Sequence, residues 1–250
     1  MGTLLIKLAG PLQSWGADSR FTIRKTGHAP TKSGIVGLLA SALGRRRTES
    51  IDDLARLQMA VRIDQKGSYE ADFQTAHLRK FDRNAQRWVA SSSLPLSRRQ
   101  YLADAVFVVG VEVTDELLDQ YATALEHPAF PLFLGRRSCA PAEKVLVGVE
   151  AGVEMMQALK QQPWAATDKR LLYRNRDNST IKLEVLRDTL RSDTGMELTE
   201  LVRDVPQSFS PENRQYTWRT VVYDDLVVAN PHAVLAPKEH DPLALLEEVD

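Results

Sequence analysis

Three short patterns stand out in this sequence, and the second and third bring together residue types that hold phosphate. The first is Leu8-Ala9-Gly10-Pro11-Leu12-Gln13-Ser14-Trp15-Gly16, a turn-rich loop directly behind an apolar run. The second is Pro30-Thr31-Lys32-Ser33-Gly34-Ile35-Val36-Gly37, which opens an apolar stripe at helical spacing. Unpaired amides at such a helix start, the Thr31 and Ser33 hydroxyls and the Lys32 ammonium suit an anion. The Gly-x-x-x-x-Gly-Lys order of a P-loop is absent. The third is Leu132-Phe133-Leu134-Gly135-Arg136-Arg137-Ser138-Cys139-Ala140-Pro141. A glycine beside two arginines lets main-chain amides approach a phosphate that the guanidiniums neutralise. Each pattern alone also fits a structural loop.

The charges point the same way once they are placed along the chain. Lys plus Arg number 32 against 33 Asp plus Glu in 250 residues, a net charge of −1. That sum hides two basic segments. Residues 19–47 hold Arg20, Arg24, Lys25, Lys32, Arg45, Arg46 and Arg47 and no acid, a local charge of +7. Residues 76–102 hold Arg79, Lys80, Arg83, Arg87, Arg98 and Arg99 against Asp82 alone, a local charge of +5. Phe81, Trp88 and Tyr101 lie among the second set. Cations that track phosphates and rings that stack bases suit single-stranded nucleic acid. A solvated basic face balanced by acids elsewhere is the alternative. One such acidic stretch is the tail 239–250, with five acids and no Lys or Arg.

The elements that must position these residues follow from periodicity. Residues 3–9 form an apolar strand closed by Gly10-Pro11. A helix is predicted over 31–44, capped by Thr31 or Ser33 and ended at Gly44. A short helix over 51–57 starts on the capping-box pattern at Ser50. Strands follow at 60–64 and 104–113, a helix at 115–125 and a strand at 145–149. The order β-α-β-β-α-β specifies an α+β, ferredoxin-like domain over 1–150. A segment over 65–103 separates its middle strands and is far longer than a hairpin loop. Residues 151–250 form a smaller, mainly β region, with a short helix at 155–159 and strands at 181–186 and 216–223.

Several chemistries are excluded. Cys139 is alone, so there is no intrachain disulfide and no Cys-x-x-Cys metal or redox pair. No two histidines take the i, i+4 metal spacing, and neither a nucleophile elbow, a His-Glu-x-x-His motif nor a nucleotide fingerprint occurs. No cofactor and no metal are expected. The first residues lack the basic and apolar regions of a signal peptide, and no apolar run approaches the ~18 residues of a membrane span. A cytoplasmic protein without membrane contact is expected. Strand 104–113 is apolar at nearly every position, so both its faces should be buried. It lacks the aromatic pattern of an RRM, so RNA would be held by loops and the insertion.

In their order, the three patterns resemble the Cas-five family of CRISPR-associated proteins, in its type I-E Cascade form. Arg98-Arg99-Gln100-Tyr101-Leu102 extends the resemblance, and Pro206-Gln207-Ser208-Phe209-Ser210 and 216–223 continue it more faintly. The resemblance implies a repeat-associated (RAMP) fold with a thumb over 65–103. It implies a non-catalytic subunit that caps the 5′ handle of the CRISPR RNA. Its partners would be that RNA, the first backbone subunit, the large subunit and, indirectly or through the thumb, target DNA.

On that basis Lys32 and Ser33 hold phosphate, as do Arg136, Arg137 and Ser138. Arg79, Lys80, Arg98 and Arg99 steer the strand along the thumb. Trp15, His77 and Tyr101 stack or hydrogen-bond bases; core packing is the alternative for Trp15 and Tyr101. Arg24 and Lys25 are further candidates for RNA or DNA contact. Arg45 to Arg47 follow the first helix, where cations complement its dipole and a structural role is expected. The rival function is a metal-independent ribonuclease using His28 with Lys25, or His77 with Tyr101 and Lys80. A third is a docking subunit without direct RNA contact.

Overall fold

A computed structural model describes residues 1–16 and 22–234. Arg20 and the acidic tail at 239–250 lie outside the described residues. The first half opens with β1 (Gly2–Ala9), two short strands, β2 (Leu12–Gln13) and β3 (Ile23–Arg24), and the helices α1 (Lys32–Ala42) and α2 (Asp52–Ala55). Then come β4 (Met59–Gln65), β5 (Ser68–Gln74), β6 (His77–Asp82), β7 (Arg87–Ser93), β8 (Ser97–Ala103), β9 (Val106–Val113), α3 (Asp115–Glu126) and β10 (Leu146–Glu150). The remainder comprises α4 (Met155–Gln161), α5 (Lys169–Arg174), β11 (Thr180–Asp188), β12 (Thr199–Ser208) and β13 (Gln215–Ala229).

This mixed α and β chain is organised on a seven-stranded antiparallel sheet, in the order β10-β1-β9-β4-β11-β13-β12. Alternation along the strands sends side chains to two sides. Leu4, Ile6 and Leu8 of β1 join Phe107, Val109 and Val111 of β9 in a core with Ile35 and Leu39 of α1 and Leu118 and Tyr121 of α3. Leu5 and Val108 face the other way, onto Met155 and Leu159 of α4. Every residue of β9 except Glu112 is buried, as its unbroken apolar run requires. The strand begins at Val106 rather than 104, because Asp104 takes a positive φ of 55° and turns the chain.

Other local signals act as expected or are displaced. Thr31 caps α1, its Oγ1 accepting from the Gly34 amide at 3.2 Å. The capping box expected at Ser50 is not formed. Ile51 occupies the cap position of α2 without a side-chain bond, while Ser50 Oγ accepts from the Asp52 amide at 3.3 Å. β11 pairs with β4, so strands beyond residue 150 continue the sheet of the first half. β12 and α5 have no counterpart among the predicted elements. β12 is largely exposed and broken by register shifts around Val202 and Pro206, which blurs its period of two.

The segment between β4 and β9 is an arm rather than a loop. β5 pairs with β8 from Ser68↔Ala103 to Gln74↔Ser97, and β6 with β7 from His77↔Ser93 to Asp82↔Arg87. Tyr69, Phe73, Leu78, Phe81 and Trp88 are all exposed on it, so the arm has no core of its own. At its root, β2 and β3 flank β8, which ties the arm to the first motif loop and to residues 23–24.

Candidate nucleic-acid interface

The three motif loops meet because glycines allow their backbones to touch. Trp15 is 1% exposed, and its indole donates to Gln13 Oε1 at 3.0 Å. A Cβ at Gly34 would stand 2.8 Å from its ring, so only glycine lets α1 approach this closely. Gly135 has φ of +83°, and a Cβ there would fall 1.8 Å from Ser14 O. The Ser14 amide donates to Leu134 O at 3.0 Å, which fastens the first loop to the third. The turn at 134–139 is closed by Leu134 N to Cys139 O and Cys139 N to Arg136 O, at 2.7 and 2.8 Å. Burial pushes the Cys139 thiol up, so it stays protonated and acts as packing.

A groove of about 680 Å³ opens where these loops converge. Ser33 and Gly34 of α1, Arg45, Arg46 and Arg47 beyond its end, Gly135 and Arg137 line it, and Phe209 and Arg214 of the β12–β13 connection close it with Tyr216 of β13. Among the described residues no carboxylate lines it, so five arginines face one cleft without an acid between them. Arg45 is held by a two-pronged pair with Asp53, whose carboxyl that hydrogen bond lowers from its ordinary value. Among the described residues, no carboxylate pairs with the side chains of Arg46, Arg47, Arg137 or Arg214. Phe130, Phe133, Phe209 and Tyr216 supply rings around these cations. The arrangement offers guanidiniums to phosphate oxygens and flat faces to bases.

The structure separates the expected contact residues into groove, arm and scaffold. Ser33 and Arg137 line the groove; Ser138 is exposed beside it. His77, Arg79, Lys80 and Arg98 are exposed on the arm, and Arg24 and Lys25 at its root. His77 Nδ1 lies 3.1 Å from Ser93 Oγ, and the Arg98 guanidinium sits over Phe73. Arg99 is half-buried, with its Nε buried and unpaired among the described residues.

Four residues take places different from those expected. Lys32 is buried, and its ammonium meets Asp188 at 2.9 Å instead of facing an anion. Its amide donates to Asp204 Oδ2 at 2.7 Å, and Arg219 bridges Asp188 and Asp204 at 2.6 and 2.7 Å. Trp15 and Tyr101 are core residues, so neither ring is open to a base. Arg136 lies over the Tyr101 ring at 4.9 Å and donates to the carbonyls of Gln100, Arg24 and Lys25 at 3.0, 3.0 and 3.3 Å. It clamps the arm root rather than the groove.

Burial of Tyr101 opposite Glu70 also keeps it apart from His77, further out on the arm. Among the described residues, no group of three His, Cys, Asp or Glu is placed to hold a metal, and no helix is long and apolar enough to cross a membrane.

The groove residues missed by sequence reasoning are Arg214, Tyr216, Phe209, Phe130 and Phe133, with Arg45 to Arg47 assigned a structural role. The Arg45-Arg46-Arg47 run and the faint resemblance at 206–210 were the available signals. Nothing in the spacing of Arg214 marks it, since it reaches the groove from the connection between β12 and β13.

The family model described as CRISPR-associated protein (Cas_Cas5) matches residues 3–222. The chain belongs to the Cas5 family of CRISPR-associated proteins. This Cas5-family chain is 32% identical over 167 residues to the CRISPR system Cascade subunit CasD of Escherichia coli strain K12, a match spanning 62% of this chain and 75% of CasD. Two solved structures resemble it over nearly its full length. One, titled as the crystal structure of a Cas protein, superposes with a TM-score of 0.63 at 33% identity and covers 94% of this chain and 100% of its own. The other, titled CRISPR RNA-guided surveillance complex, gives a TM-score of 0.70 at 29% identity and covers 99% of this chain and 98% of its own.

Proposed function

We propose that this chain is a non-catalytic subunit of a type I-E Cascade complex and caps the 5′ handle of the CRISPR RNA. The observation that carries the proposal is the arginine-lined groove, which has no carboxylate among the described residues and is built by the same three motifs that mark the family. Arg46, Arg47, Arg137 and Arg214 bind handle phosphates, and Ser33 and Ser138 donate hydroxyls at its rim. Phe209 and Tyr216 stack unpaired bases. The arm is the thumb, where Arg79, Lys80, Arg98 and Arg99 steer the guide strand and its first pairs with target DNA. Base contact by His77 and strand contact by Arg24 and Lys25 belong to the same surface. Lys32, Trp15, Tyr101 and Arg136 build the walls.

Residues 1–150 adopt the ferredoxin-like RAMP layout in this reading. The antiparallel order β10-β1-β9-β4, with α1 and α3 on one face, supports it. The region 151–250 supplies one groove wall. The first backbone subunit and the large subunit pack against other faces, in the cytoplasm. Separation of His77 from Tyr101 favours RNA holding over cutting, and the groove favours direct contact over docking alone.

RNA copurified with the assembled complex tests the proposal. A uniform, repeat-derived 5′ end, protected only when this chain is present, is expected. Ragged ends, or the same end without this chain, would overturn it. Incubation with repeat RNA in chelator tests the nuclease alternative, which predicts specific cleavage lost in His77→Ala.

A further inference from the structure

The seven-stranded sheet has two outer strands, and they are not alike. β12 carries Pro206 and two register shifts, devices that blunt an edge. Among the described residues β10 pairs with β1 alone, and it holds neither proline nor lysine. In an antiparallel edge strand, half of the main-chain amides and carbonyls point outward. Two valines stand beside them: Val147 and Val149 are 36% and 39% exposed. Val149 lies opposite Leu4, so it takes the face on which Leu118 of α3 packs, at a place that α3 leaves open.

Acids flank this edge on both faces. A Cβ at Gly2 would stand 2.8 Å from Leu118 Cδ2, 3.0 Å from Glu150 O and 3.2 Å from Asp115 Oδ1, so the first turn of α3 abuts the end of β10. Asp115, Asp119 and Glu126 form one stripe by helical spacing. Asp115 pairs with the N-terminal ammonium at 2.9 Å, while Asp119 and Glu126 are exposed. On the other face Glu150 lies opposite Thr3, on the side of Leu5 and α4. The exposed Glu154 precedes α4 without capping it. Among the described residues, no Lys or Arg pairs with Asp119, Glu126, Glu150 or Glu154. Of the cations near the strand, Lys7 is held by Glu143 at 2.6 Å, and Lys144 lies at the end of β10 away from Glu150.

We propose that β10 is a docking edge, where a basic, β-forming segment of another protein chain adds a further strand to the sheet. Main-chain hydrogen bonds to the edge supply the binding, and alternate side chains supply the selectivity. Apolar side chains of that segment lie against Val147 and Val149. Its lysines or arginines oppose Glu150 and reach Asp119, Glu126 and Glu154. A second copy of this chain does not fit, because its own β10 brings the same acids to the contact. A nucleic-acid backbone is repelled for the same reason.

Hydrogen exchange on the full chain, with an alternating Lys-Val peptide as the probe, tests this. Exchange of the outward amides over 146–150 should slow when the peptide is added, and the protection should weaken as salt is raised. An alternating Glu-Val peptide should give none. Glu150→Lys/Glu154→Lys should weaken binding of the Lys-Val peptide by about tenfold, since like charges then face each other across the new strand pair. Val147→Lys/Val149→Lys should block it, and exchange elsewhere in both variants reports an intact fold. Unchanged exchange over 146–150, equal protection by the two peptides, or undiminished binding by either variant would overturn the proposal. So would protection that appears without peptide as the chain's own concentration rises, which would make a second copy the occupant.

Discussion

Arg136 and Arg137 are adjacent in sequence and do different work. Arg136 donates to three carbonyls and covers Tyr101, whereas Arg137 faces the groove. Arg136→Ala should lower folding stability by about 2 kcal/mol, read by urea denaturation, because it removes charged hydrogen bonds and a cation–π interaction together. Arg136→Lys should restore little, since a point charge cannot reproduce the planar fork. Arg137→Ala should leave stability unchanged and lower the salt slope of RNA binding by about 0.7. Lys32 behaves like Arg136. Lys32→Met removes a buried partner of Asp188 and should cost about 3 kcal/mol in the same denaturation assay. The sequence shows that these residues are cationic; it does not show which cations are already satisfied. Lys32 meets Asp188 across 156 positions, and no local pattern encodes that pairing.

At the scale of elements, periodicity identified α1, α3, β1, β4 and β9, because each buries one regular stripe or a full apolar run. The arm was visible only as an over-long insertion. Its strands leave most side chains exposed on both faces, so no apolar alternation marks them. Exposure also makes the arm tolerant of change. Replacing Arg79, Lys80, Arg83 and Arg87 together by alanine should leave the unfolding midpoint unmoved and reduce the salt slope of guide binding by up to about 3.

The β12–β13 wall carries a pH signature. Tyr223 donates to Glu200 at 2.6 Å, and this bond to a carboxylate pushes the phenol up to about 12. The folded state holds the proton more tightly, so its contribution is complete below the ordinary value near 10 and is lost as pH rises through about 12. Ultraviolet titration should show one tyrosine of this wall ionising late, and Glu200→Gln should bring it back toward 10.

At the scale of the molecule, the balanced charge is divided by location. The groove gathers arginines from residues far apart in the chain, and acids such as Asp188 and Asp204 are spent inside on holding β11, β12 and β13 to α1. The element order divided the sequence into 1–150 and 151–250. The β4–β11 ladder instead makes the C-terminal strands part of the one sheet, which is how Phe209, Arg214 and Tyr216 reach a site signalled in the first half. Long-range pairing of this kind has no short sequence signature.

The central claim is that this groove holds the RNA 5′ end. It is tested most directly by titrating 5′-handle guide RNA, across a salt series, into complexes reconstituted with Arg46→Ala/Arg47→Ala/Arg137→Ala/Arg214→Ala. The account predicts an intact complex whose salt slope falls by about 3, an increment of about 0.7 for each phosphate no longer neutralised, with the 5′ end opened to exonuclease. An unchanged slope with a fully protected 5′ end would contradict it.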